Sequence, residues 1–278
     1  MFARQQSSKQ KFPKWLVSGP VVALCLAASS GPTWAYRPFD GTDAAVAAPG
    51  EVEIELQPAG RLRETGSTTL VAPAAVFNYG LSEGWEAVFQ GQGQTPLSPS
   101  GPTSLTSAGA FLKHVLQPGS LQDKTGPSVA TEFGMLLPNS TGSSGVGASL
   151  AGIVSQRWDW GTIHLNAETA LTRDHHGDVF LGGIVEGPSN WSIRPVAEFF
   201  YEKEFGQSET ISGLVGLIWR VRDNLSFDVG LRHAHERPSG QRIARWLDVR
   251  LSSGAVRWSL CSIQITSMLH DEAPTCEP

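Results

Sequence analysis

What most limits the folds open to this chain is a two-residue alternation of apolar and polar side chains that returns in segment after segment, each about ten residues long. From Glu51 to Leu56 the acidic Glu51, Glu53 and Glu55 alternate with Val52, Ile54 and Leu56. Ile163, Leu165, Ala167, Thr169 and Leu171 alternate with His164, Asn166 and Glu168. Trp191, Ile193, Pro195, Ala197, Phe199 and Tyr201 are set against Arg194, Glu198 and Glu202, and Leu225, Phe227, Val229 and Leu231 against Asp228 and Arg232. Successive side chains of a strand point to opposite faces, so each segment has one greasy and one charged face. Pro195 interrupts the pattern, because proline cannot donate to a ladder.

The alternation follows a segment of another kind. Arg4, Lys9, Lys11 and Lys14 precede an apolar run from Trp15 to Ala28, and Thr33-Trp34-Ala35 offers a cleavage site, so residues 1–35 predict a secretory signal. The run is shorter than the ~20 residues a spanning helix needs. Removing it leaves 243 residues with 17 Lys+Arg against 26 Asp+Glu, a net charge of −9. That balance argues against nucleic acid as a partner. Cys261 and Cys276 remain, which permits a disulfide but sets no disulfide framework or metal spacing.

About twelve strands are predicted, near 51–57, 67–77, 83–91, 106–116, 127–137, 146–156, 161–171, 178–187, 191–202, 209–220, 225–235 and 241–251. Such a set predicts an all-β, antiparallel transmembrane barrel in the bacterial outer membrane, spanning residues 36–251. An even count puts both termini in the periplasm. Gly80–Gly84, Arg157–Gly161, Gly187–Asn190 and Arg222–Asn224 predict tight turns on alternate connections, and Gly91–Leu105 and Asn139–Gly145 predict outer loops. The connection 117–126 departs from this scheme, being long yet on the turn side. Tyr79, Trp85, Trp158, Trp160, Trp191 and Trp219 fall beside the turns and predict an interfacial girdle, with Phe111, Phe180, Phe199, Phe200 and Tyr201 as a second ring toward the other end. A soluble β-sandwich shares the period of two but has no reason to sort its tryptophans in this way.

The stretch Arg37-Pro38-Phe39-Asp40-Gly41-Thr42-Asp43-Ala44, then Pro49-Gly50 and the Glu51–Leu56 alternation, resembles the meta-pathway phenol degradation, transporter-like outer-membrane proteins, as do Asn78-Tyr79-Gly80-Leu81 and the hairpin from Trp219 to Arg232. The resemblance runs from about Arg37 to Leu251. It implies an outer-membrane barrel that passes small compounds, aromatic ones among them. Such barrels usually end on an aromatic residue, whereas this chain continues 27 residues past Leu251 to Pro278. Residues 252–278 therefore read as an atypical tail, explicable by a frame change near Ser252, or as an extra strand begun by Val256, Trp258 and Leu260.

With the apolar faces in lipid, the lumen receives Glu53, Glu55, Glu86, Glu132, His164, Asn166, Glu168, Arg194, Glu198, Arg220, Asp228, Arg232, Asp248 and Arg250. Cross-strand pairs of Glu198 with Arg220 and of Asp228 with Arg250 are expected. This set predicts either a polar conduit or a salt-bridged filling that holds a narrow barrel in shape. Asp174, His175, His176 and Asp178, and His233, His235 and Glu236, have metal-ligating types but read as solvated turns. No serine follows His164 at the spacing a lipid-face hydrolase would need, so a channel is expected first, a structural barrel second and a lipid hydrolase last. No cofactor is expected; the partners are outer-membrane lipid, the barrel assembly machinery and a small solute.

Overall fold

The computed structural model describes residues 39–64, 66–238 and 255–268. The strands are β1 (Glu51–Gln57), β2 (Ala59–Glu64), β3 (Ser67–Ser82), β4 (Trp85–Ser98), β5 (Ser104–Gln117), β6 (Ser128–Leu136), β7 (Gly147–Trp158), β8 (Gly161–Leu171), β9 (Gly177–Glu186), β10 (Ile193–Glu204), β11 (Ser208–Arg222), β12 (Leu225–Pro238) and β13 (Ala255–Met268). One 3-10 turn, Ser120–Gln122, lies between β5 and β6.

Each strand from β3 to β13 pairs antiparallel with the next. The ring closes because β13 also pairs with β1, from Glu51↔Met268 to Leu56↔Ile263, and with β2, from Val256↔Arg63 to Leu260↔Ala59. β1 and β2 occupy one position, both lying against β3. Pro58 parts them, and Pro73 falls where the β3–β4 register shifts between Val71 and Ala74; neither residue has an amide to donate there. The result is an antiparallel barrel of twelve staves, which leaves no open edge.

The two faces sort as the alternation requires. Ile54, Phe77, Phe89, Leu165, Leu181, Phe199, Val215, Leu217 and Val229 are exposed on the outside, Val215 by 62%. Glu86, His164, Asn166, Arg194, Glu198, Asp228 and Arg232 are buried inside. A water-soluble barrel would invert this order, because apolar area outside is favourable only against hydrocarbon. Among the described residues no helix is long and apolar enough to cross a membrane.

Local chemistry explains the departures from expectation. The loop expected at 91–105 is mostly strand, with β4 running to Ser98 and β5 starting at Ser104, so that a polar hairpin stands above the apolar belt. Pro195 sits just past the end of β9, whose pairing starts at Val196↔Glu186. Its carbonyl accepts from the Gly187 amide at 2.8 Å, and its missing donor interrupts no ladder. Phe111, Phe180 and Phe200 point inward and are buried, so only Phe199 and half-buried Tyr201 of the expected second ring lie outside. Tyr79, Trp158, Trp160, Trp191 and Trp219 are exposed at the turn end, and Trp85 there stacks on His114 at 4.0 Å. The strand expected at 241–251 and the signal at 1–35 lie outside the described residues. The closing strand β13 falls within 252–278, in the region of Val256, Trp258 and Leu260.

Candidate functional site

The chain before β1 enters the barrel. Gly50, at φ +81°, and the turn Ala48–Glu51 reverse it at the turn end, where the Gly50 amide donates to Gly80 at 2.8 Å and the Glu51 amide to Ala48 at 2.8 Å. Residue 80 must be glycine, since a Cβ there would stand 1.9 Å from the Ala48 carbonyl oxygen. From this turn the segment 39–48 climbs through the lumen, and buried wall side chains satisfy its backbone.

Each wall contact comes from a different stave. The Ala47 amide donates to Glu86 Oε2 on β4 at 2.6 Å, and the Ala44 amide to Ser155 Oγ on β7 at 3.0 Å. On β8 the Asn166 side chain brackets Thr42, with Oδ1 accepting its amide at 3.0 Å and Nδ2 donating to its carbonyl at 2.9 Å. Lys113 of β5 donates to Thr42 Oγ1 at 3.2 Å and pairs with Asp43 at 3.3 Å. Glu198 of β10 accepts the Asp40 and Gly41 amides at 3.0 and 2.8 Å. Arg232 of β12 clamps this end, bonding Glu198 at 2.6 Å and also Asp40. Backbone groups in a bundle or sheet satisfy one another; here an irregular strand in a barrel depends on these side chains.

Apolar packing adds to the polar contacts. Phe39 is buried against Ile184, Val196, Leu214 and Ile218, which all point inward. Ala44 packs with Ala130, Ile153 and Leu121. Leu121 belongs to the long turn-side connection that broke the expected length rule. That connection folds up under the barrel, where Gln122 donates to the Ala44 carbonyl at 2.9 Å and Ser120 Oγ accepts the Arg157 amide at 2.8 Å. Its length serves as a support for the interior segment.

Among the described residues, two cavities lie beside the segment. An inner one of about 410 Å³ touches Glu53, Glu55, Glu86, Glu132, Asn166 and Glu168 on the wall and Asp40–Asp43 on the segment. An outer one of about 360 Å³ touches Asp178, Phe200, Glu202, Glu236 and Arg232. Asp40, Glu168 and Phe180 border both. The lumen is thus narrowed by the chain's own segment, with acid-lined space on either side.

The remaining inward residues brace the wall. Arg194 pairs with Glu186 at 3.0 Å. His164 Nδ1 meets Ser155 Oγ at 2.8 Å, and its Nε2 lies 3.7 Å from Glu186. Serine, histidine and glutamate stand here in a row, but all three are buried and border neither cavity. The expected pairing of Glu198 with Arg220 does not form: Leu214 faces Glu198 across the ladder, and Arg220 stands opposite Ser226 near the turn-end rim. Arg232 takes the partner's place by reaching over Leu214. Asp248 and Arg250 lie outside the described residues. At the other end His176 meets Glu204 at 3.2 Å, and among the described residues no three ligating side chains gather for a metal.

Sequence reasoning missed Lys113, Ser155, Phe180 and Phe200, and the destination of 39–48. Lys113 lies in Phe111-Leu112-Lys113-His114-Val115, where both faces carry apolar residues because the inner one packs indoors, so no phase is visible. Only the run of small and acidic residues before β1 hinted at a segment built to thread a narrow space.

The paired ring and the sorting of its two faces define a closed antiparallel β-barrel of outer-membrane type. No family model matches the sequence, and no curated protein does. Among solved structures it is similar to the COG4313 outer membrane channel from Pseudomonas putida F1, at TM-score 0.54 and 6% identity over 82% of this chain and 98% of that one. The NanC porin matches at TM-score 0.50 and 6% identity, covering 79% of this chain and 100% of that chain. The KdgM porin, at TM-score 0.48 and 12% identity, covers 77% and 98% respectively. At these identities the likeness to the first two speaks for the fold alone.

Proposed function

We propose that this chain is an outer-membrane channel or facilitator for small compounds, aromatic ones among them, of the meta-pathway phenol degradation, transporter-like kind. Its turn end would face the periplasm, residues 1–35 would be removed on export, and the assembly machinery would insert the barrel among outer-membrane lipids. The observation that carries the proposal is the pair of lumenal cavities meeting at Asp40, Glu168 and Phe180 beside a segment held by side chains alone. A wall built only for strength would be filled from its own staves. The similar channel folds support the reading, as does the resemblance of Arg37–Leu56.

The hold of buried Glu198 and Arg232 on Asp40 favours a second reading, a structural barrel whose lumen stays filled. Planar-bilayer recording on protein shown to be folded separates the two. Stable open steps are expected for the channel; silence would favour the filled barrel. A lipid hydrolase has less support, because His164 and Ser155 are sealed inside and face no lipid.

A further inference from the structure

We propose that the conduit selects cations, and that its outer cavity receives small organic amines with an apolar body; this rests on the channel reading above. Charge supplies the first argument. Nine carboxylate residues border the inner cavity against Lys113 and Arg157, and five border the outer one against Arg232. Lys113 is bound to Asp43 at 3.3 Å, and Arg232 to Glu198 and Asp40. A ring of one sign in a low-dielectric wall concentrates counter-ions and repels like charge, which is how side-chain rings set the selectivity of pores.

A second observation is independent of the number of acids. Asp43 is 2% exposed and borders the inner cavity, and although Oδ1 takes the Ala45 amide at 2.9 Å and Lys113, Oδ2 has no hydrogen-bond partner. A buried acceptor calls for a donor, and an ammonium group carries three.

The outer cavity adds an aromatic surface. Phe180 and Phe200 stand 5.0 Å apart at 37° and line this cavity together with Asp178, Glu168 and Glu202. Aromatic faces attract cations and cover apolar bodies, while carboxylates hold the charge. The protein's own Arg232 already lies 5.1 Å from the Phe200 ring centroid, so this surface accepts a cation in the folded state. An acidic solute of similar body would meet the same π faces among five carboxylates, with Arg232 already bound to Glu198 and Asp40.

The test uses the purified full chain in planar bilayers across a tenfold potassium chloride gradient. The reversal potential is expected to move toward the potassium equilibrium value, and phenethylammonium chloride to block current more strongly than sodium benzoate. Phe200→Leu, or Glu168→Gln with Glu202→Gln, should weaken that block by roughly three- to tenfold, the range of one lost cation–π or charge contact. A reversal potential on the chloride side, or equal block by benzoate, overturns the proposal while leaving a channel in place. Silence from folded protein overturns the channel reading instead. The amine site is then decided by thermal unfolding: protection by phenethylammonium but not benzoate retains it, and equal or no protection removes it.

Discussion

Glu198 shows how much of the lumen one side chain can organise. Its carboxylate holds two amides of the interior segment and one guanidinium, all in a site almost without solvent. Glu198→Ala should lower stability by about 3–5 kcal/mol, the usual cost of stranding a buried charge, read as a fall in unfolding temperature. Glu198→Gln keeps the shape and weakens three contacts, so the segment should loosen by about 1–3 kcal/mol and amide exchange at Asp40 and Gly41 should quicken. Gly80→Val tests the segment from the other end. The added carbon collides with the backbone of Ala47 and Ala48, which should displace the segment there and raise single-channel conductance without opening the ring. At this scale the sequence was legible where alternation is clean, as at His164, Asn166 and Glu168. Legibility failed at Phe180 and Lys113, because inward apolar residues that pack on the segment look like outward ones facing lipid.

Elements were easier to read than residues. β8 is expected at 161–171 and found there, since the alternation of outward Ile163, Leu165, Ala167, Thr169 and Leu171 with inward His164, Asn166 and Glu168 runs without a break. Lipid contact on β11 can be probed with Val215→Arg, which should cost about 2–4 kcal/mol near the middle of the membrane and slow folding into bilayers. The hairpin of β4 and β5 reads as loop in the sequence because glycine, serine and proline signal turns, while projecting strands above the belt need no apolar face. The connection carrying Leu121 and Gln122 gave an anomaly in length and no clue to its cause: its partner, Ala44, stands 78 residues away in sequence. Gln122→Ala should cost about 1 kcal/mol, seen as faster exchange in the interior segment.

For the whole molecule, closure is the property that the repeated alternation implies and does not locate. The seam belongs to β13, whose partners β1 and β2 begin some two hundred residues earlier. Ending the chain at residue 254 would leave one edge of β12 and one edge of the β1–β2 stave unpaired. That variant should show no heat-dependent shift in gel migration, whereas the full chain should migrate faster unheated than boiled. The interior segment was invisible at this scale as well, since contacts such as Asp40 with Glu198, 158 residues apart, leave no local pattern.

The turn at Gly50 gives the occupant of the lumen a leash. Residues 39–50 can extend at most about 40 Å, only somewhat more than the thickness of a bilayer's oily layer. Once dislodged they would still hang at the mouth, at an effective concentration of millimolar order. The stopper is captive: each copy can reseat its own, at any dilution and without help from a partner.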